Sequence, residues 1–388
     1  MVVRRIAVID GLRGVAAFMV MGLHWWYGAG QPMLDPFIGP ALTMLVAAGY
    51  AGVDLFFVIS GFVLFLPVCE RRGDFGSRRT YTLRRAARIL PLYWVTLAVV
   101  VALVVAVKFT PAAQGSLGLN LLLHLGFLQH TVSPALGLPE GFGVNGVIWT
   151  LSVEVTFYLL LPFIARRFYN RPALWFALFL VVSASWRLVV TQWIGGADTT
   201  PQLLPLVLIT QLPTYLPHFG LGMVAAWIWA RRAEAPSLPQ RRLAMIGFAG
   251  GALVIGWSLH ELGVGDWMKT AGIYTHHTGT LVVTTAFAVL LLSALMAPRW
   301  LQRPFDNAVA RKLGEISYGL YLWHAIVIWM ALTVVHLPVH GALNASIYLT
   351  VVLFGTIGLA WLSHVTIERP AIEWARRKTT PAIADVVH

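Results

Sequence analysis

The sequence predicts an all-α, polytopic membrane bundle of about ten transmembrane helices. Three observations predict it. Hydrophobic residues fill 58% of the 388 positions and charged residues only 11%, with a mean hydropathy of +0.74, whereas a soluble domain carries about 25% charged residues. Apolar runs close to the roughly 20 residues needed to cross a bilayer recur along the whole chain. The basic residues that bring the net charge to +12 sit between those runs. The positive-inside rule accounts for that placement, so nucleic-acid binding is not expected.

The runs fall at 7–28, 42–68, 89–108, 117–130, 147–165, 173–194, 204–230, 243–261, 279–297, 314–336 and 344–367. The fourth, LGLNLLLHLGFLQH, is too short to cross and carries Asn120, His124 and His130. It reads as an interfacial or re-entrant helix. Basic clusters lie at Arg4–Arg5 and at 71–88, 166–171, 231–242, 299–312 and 369–378. With ten crossings all of them face one side; with eleven they do not. The expected topology therefore has ten spans and both termini in the cytoplasm. A transmembrane domain over 1–370 is followed by a cytoplasmic tail over 371–388. The first ten residues lack a separate signal-peptide pattern, so the first run is expected to remain as an anchor. The lone Cys69 excludes an internal disulfide and a cysteine-rich metal site. His276–His277, His124 and His130 have no carboxylate at ligand spacing, and no metal is expected.

Ionisable residues inside spans are costly and are functional candidates by default. Arg13 and His24 open and close RGVAAFMVMGLH. Eleven residues at 100° each return them to within about 20° of one helix face, roughly 16 Å apart along the axis. They are expected to face one cavity at two depths, Arg13 toward the cytoplasm. A snorkelling arginine and a packed histidine are the bland alternative. In GVDLFFVISGFVLF, Asp54 needs a cationic or hydrogen-bonding partner, and Ser60 lies further along. In RRAARILPLYW, Arg85 and Arg88 sit three apart at a span's mouth. They are either ordinary positive-inside charge or an anion clamp, because guanidinium grips phosphate in bidentate fashion. Glu154 in WTLSVEVTFYLLLP lies at a depth similar to His24, where a carboxylate would orient an imidazole. ISYGLYLWH brings Tyr318, Tyr321 and His324 into one span. In SHVTIERP, helix termination at Pro370 is the plain reading.

These stretches, with IDGLRGVAAFMVMGLH and PHFGLGM (217–223), resemble membrane acyltransferase family 3, a group of bacterial O-acyltransferases acting on polysaccharides, lipids or antibiotics. The motifs follow the family's order from residue 9 to 370. The resemblance implies a ten-span enzyme of the bacterial cytoplasmic membrane. It would move an acetyl or other short acyl group from acyl-CoA to a hydroxyl of a glycan, glycolipid or natural product such as a macrolide. Arg13 and His24 match the family's basic-x10-His motif, Arg85 and Arg88 its Arg-x-x-Arg motif. Glu154 matches the first acid of its Ser-Val-Glu-Glu-Gln-Phe-Tyr pattern, and Val155 and Thr156 depart from it. The implied roles are His24 as general base oriented by Glu154, and Arg13, Ser60, Arg85 and Arg88 as acyl-CoA contacts. Asp10, Asp54, Tyr318 and His324 are substrate-contacting or structural polar groups. The rival class is a transporter or flippase of a glycan or lipid, for which no inverted repeat is visible. A non-catalytic scaffold is the third.

Overall fold

The computed structural model describes residues 6–28, 35–107, 117–132, 136, 144–194, 207–232, 236–264 and 270–379. Among these the chain is helical and contains no strand. In order the helices are α1 (Ala7–Gly28), α2 (Asp35–Ala47), α3 (Ala51–Glu70), α4 (Arg78–Ala106), α5 (Leu117–Leu125), α6 (Gln129–Val132), α7 (Trp149–Asn170) and α8 (Pro172–Ile194). They continue with α9 (Leu212–Arg231), α10 (Leu238–Val264), α11 (Thr270–Met296), α12 (Arg299–Gln302), α13 (Ala308–Glu315), α14 (Ser317–Trp329), α15 (Ala342–Ser363) and α16 (Arg369–Thr379).

Eight helical segments among the described residues are long and apolar enough to cross a membrane. One of them runs unbroken over Leu42–Glu70, joining most of α2 to α3. The remaining two of the ten expected spans correspond to α9 and to the shorter apolar stretch Leu281–Met296 of α11. At 1.5 Å per residue, the nine residues of α5 extend only about 14 Å, too short to cross. Large apolar side chains such as Leu159, Leu253, Leu343 and Phe354 stand on the outside of the bundle. That surface suits lipid and not water.

The core is built around α3, which packs against α1, α7, α9 and α11. The closest pair is α3 and α9. Gly61 faces the Phe219 carbonyl and Gly222 faces the Val58 carbonyl, so closely that a methyl group at either place would collide with backbone. Small residues bring membrane helices this near because packing, not water exclusion, drives their association. Phe219 then stacks on Phe157 of α7 with ring centres 3.9 Å apart. A second core joins α4 to α14 through Leu92, Tyr93, Leu320 and Trp323.

Two local features place the site. Ser77 caps α4, its Oγ accepting the Thr80 N–H at 3.2 Å. The helix therefore starts eleven residues ahead of the apolar run expected at 89–108, and Arg85 and Arg88 lie inside it. The last span does not end at Pro370. A π-helical turn over His364–Glu368 carries the helix through into α16. Proline lacks an N–H and its ring crowds the carbonyl four residues back, and a wider turn relieves that conflict. The first nine residues of the expected tail are thus helical, with α16 packed on α4; residues 380–388 lie outside the described residues.

Candidate active site

Seven of the residues singled out in the sequence come together. Arg13 of α1, Ser60 of α3, Arg85 and Arg88 of α4, Glu154 of α7 and Tyr318 and Tyr321 of α14 line one cavity of about 70 Å³. Helix periodicity explains the pairings. Arg85 and Arg88, three residues apart, differ by about 60° around α4 and point the same way. Glu154 is the polar centre. Ser60 Oγ and Tyr158 Oη each donate to its Oε1 at 2.6 Å. Arg13 lies within electrostatic reach of Glu154, Arg88 and Asp10. Three guanidiniums against one lining carboxylate leave the cavity positive. Tyr318 lines it while its hydroxyl donates to the Ile89 carbonyl at 2.9 Å.

His24 opens on a different space. A second cavity of about 470 Å³ is lined by His24, Tyr27, Trp149, Ala325 and Trp329, among others. His24 Nδ1 is 2.8 Å from the Val20 carbonyl and 3.3 Å from His324 Nε2, and His324 Nδ1 is 3.2 Å from the Leu320 carbonyl. Carbonyls only accept, so each Nδ1 carries a proton. His324 Nε2 then holds a lone pair and takes a share of the His24 Nδ1–H, while the lone pair of neutral His24 sits on Nε2. The imidazole's side-chain partner is thus His324, whereas Glu154 is engaged with Ser60 and Tyr158.

One thin apolar layer separates the two cavities. Val20, Val147 and Tyr321 form it, with Val53, Phe56 and Ala325 packed against them. Val53, Phe56 and Tyr321 line the arginine side, and Val147 and Ala325 the histidine side. Tyr321 Oη is tied down, 2.9 Å from the Val147 carbonyl and 2.8 Å from Thr150 Oγ1. Its ring meets the His324 ring edge-on at 5.7 Å between centres.

Asp54 does not join the cavity. Six residues separate it from Ser60, which turns the two about 120° apart on α3. Asp54 faces α9 instead, where its Oδ1 is 3.2 Å from His218 Nε2 and both side chains are buried. Asp10 sits at the start of α1, its backbone pressed against Gly314 of α13. His124 is buried and donates from Nδ1 to the Asn120 carbonyl at 2.8 Å, and His130 Nε2 is 3.1 Å from the Thr210 carbonyl. The side chains of His276 and His277 lie outside the described residues. No group of three potential metal-ligating side chains occurs among the described residues.

Sequence reasoning missed Tyr158, Thr150 and His218. Tyr158 was legible: it follows Glu154 by four residues and so shares its face. His218 sits in PHFGLGM, and only its contact with α3 distinguishes it from a packing residue.

Comparison with known proteins agrees with this architecture. A family model described as an acyltransferase domain matches residues 6–365. Nodulation protein 10 of Rhizobium leguminosarum bv. viciae is 27% identical over 94% of this chain and 92% of its own length. Acyltransferase MdmB of Streptomyces mycarofaciens is 27% identical over 98% of this chain and 95% of its own. Peptidoglycan O-acetyltransferase OatA of Listeria monocytogenes is 24% identical over 93% of this chain, which spans 55% of that relative. No solved structure matches. An apolar helical bundle that encloses a basic cavity, matched over nearly its full length by one family model, is a membrane acyltransferase, and the chain belongs to the acyltransferase family that the model describes.

Proposed function

We propose that the protein transfers an acetyl or other short acyl group from acyl-CoA to a hydroxyl of a sugar, glycan or natural product such as a macrolide. The observation that carries this reading is the back-to-back pair of cavities, one lined by Arg13, Arg85, Arg88 and Glu154, the other by His24, with a single layer of side chains between them. Two substrates of opposite character are served from opposite ends of α1. The arginine end faces the cytoplasm, where acyl-CoA is made, and both termini lie on that side. The peptidoglycan O-acetyltransferase among the relatives supports a glycan acceptor.

The thioester enters through the arginine cavity and the acceptor hydroxyl through the histidine cavity. They meet where Tyr321 and Val147 now stand, so that layer parts during turnover. His24 Nε2 takes the hydroxyl proton as the oxygen bonds to the thioester carbon. The C–S bond then breaks, and the leaving thiolate receives that proton from His24 to give free coenzyme A. His324 holds the Nδ1–H tautomer that leaves Nε2 basic. Arg13 and Arg88 supply positive potential along the donor's path to that layer. Glu154 positions Ser60 and Tyr158 in the wall and offsets part of the guanidinium charge.

The test uses membranes or nanodiscs containing the protein, radiolabelled acetyl-CoA, and host glycans and metabolites examined by mass spectrometry with and without the gene. A product heavier by one acyl group, lost in His24→Ala, is expected. Full acyl transfer by His24→Ala overturns the assignment of the base.

A further inference from the structure

The arginine cavity is too narrow for a whole donor. Its volume of about 70 Å³ holds about five waters at 10–15 Å³ each. The pantetheine arm of acyl-CoA is thin enough to thread such a space, but its phosphorylated nucleotide is not. A third cavity of about 240 Å³ adjoins it, and the two share Val63, Leu64 and Arg85 as walls. This vestibule lies between the end of α3 and the beginning of α4. Arg71, Arg84 and Arg85 line it together with Ser77 and Thr80 of the capped α4 terminus.

Its shape is held from several directions. Arg71 Nε donates to the Asp74 carbonyl at 3.0 Å and Nη2 to the Phe75 carbonyl at 2.7 Å, which clamps the connecting loop. The Gly76 N–H donates to Asp74 Oδ1 at 3.0 Å, with Gly76 at a φ of +75° that favours glycine. Arg84 Nε donates to Thr379 Oγ1 of α16 at 2.8 Å, so the last described turn of the chain closes one side. Arg376, Arg377 and Lys378 of that same turn add to the positive field. Asp74 is the acidic residue of the loop, and it is not among the vestibule's lining residues.

We propose that this vestibule seats the phosphorylated nucleotide end of the acyl-CoA donor, with Arg71, Arg84 and Arg85 facing its phosphates. The proposal rests on the acyl-CoA reading above and adds where the donor's bulky, anionic half is held. Arg85 marks the point at which the nucleotide ends and the arm begins, because its side chain faces both spaces. Guanidinium groups suit phosphate by their paired donors, and the α4 terminus contributes its dipole at the same place.

The experiment compares acetyl-CoA with S-acetylpantetheine, which lacks the nucleotide, using the full-length protein in nanodiscs. Two variants are read. Arg84→Gln removes one positive charge. Thr80→Glu adds a negative charge yet completes the Ser-x-x-Glu capping box with Ser77, so it favours the helix it sits in. Each variant is expected to raise KM for acetyl-CoA about tenfold, the size of one charge-assisted hydrogen bond, with kcat for acetyl-CoA little changed. The preference for acetyl-CoA over S-acetylpantetheine falls by the same factor. The nucleotide portion of coenzyme A alone competes with acetyl-CoA in the parent protein and about tenfold less well in the variants. If the parent protein consumes no acetyl-CoA, the donor reading fails and this proposal with it. If the parent protein consumes acetyl-CoA but the variants leave KM unchanged, or weaken both donors equally, the vestibule proposal alone is overturned.

Discussion

His24 Nδ1 and His324 Nε2 stand 3.3 Å apart, on helices 300 positions apart in the chain, and each ring also donates from Nδ1 to the carbonyl one turn behind it. Both tautomers follow from that backbone geometry. The pair leaves a single unengaged lone pair, on His24 Nε2, on a residue that lines the larger cavity. His24→Ala is expected to lower acyl transfer about a hundred- to ten-thousand-fold, the usual contribution of a general base. His324→Leu removes the acceptor beside His24 Nδ1 and is expected to lower kcat while shifting the pH profile. His324→Gln keeps an acceptor atom at that place and restores most of the activity. A His324→Leu protein with an unaltered pH profile contradicts the positioning role.

Glu154 accepts from both Ser60 and Tyr158 through one oxygen. Glu154→Ala orphans two hydroxyls and leaves the cavity's arginines without their lining carboxylate. It is expected to cost about 1–3 kcal/mol of stability for each buried donor left unpaired, and to reduce transfer. Tyr158→Phe removes one donor and is expected to cost only about 1 kcal/mol. Thermal unfolding in detergent, followed by size-exclusion chromatography, separates the two.

The Asp54–His218 contact bridges α3 and α9, away from both cavities. Asp54→Ala is expected to destabilise the bundle by about 1–3 kcal/mol, the cost of leaving a buried polar group without its partner. The double variant Asp54→Ala/His218→Leu recovers part of the loss. A double-mutant cycle measures the coupling, and a value near zero shows that the two side chains do not interact.

Gly222 and Gly61 let α9 and α3 touch backbone to backbone. Gly222→Ala is expected to force these helices apart and to lower the melting temperature sharply. Gly250→Ala, where an added methyl group meets open space, leaves it unchanged or raised, since alanine favours helix. Equal melting temperatures for the two variants contradict the close approach.

Much of the candidate site was legible because helices convert spacing into direction. Arg13 and His24 share a helix at two depths, and Arg85 and Arg88 share a face; both statements need only 100° per residue. The same rule separates Asp54 from Ser60: six positions turn it about 120° away, toward α9. Pro370 misled. A stop signal assumes a regular α-helix, and a π-turn absorbs the proline without ending the helix.

The sequence by itself determined the apolar helical bundle and the segments long and apolar enough to cross a membrane. Hydropathy and helical period are local properties, and each segment carries its own. Only the tertiary structure decided which polar groups meet. Ser60 reaches Glu154 across 94 positions and His24 reaches His324 across 300. Those meetings depend on how each helix is rotated about its axis against its neighbours. For α3, close glycine contacts with α9 constrain that rotation, and no single segment contains it. The layer of Val20, Val147 and Tyr321 that divides one expected cavity into two follows from the same packing.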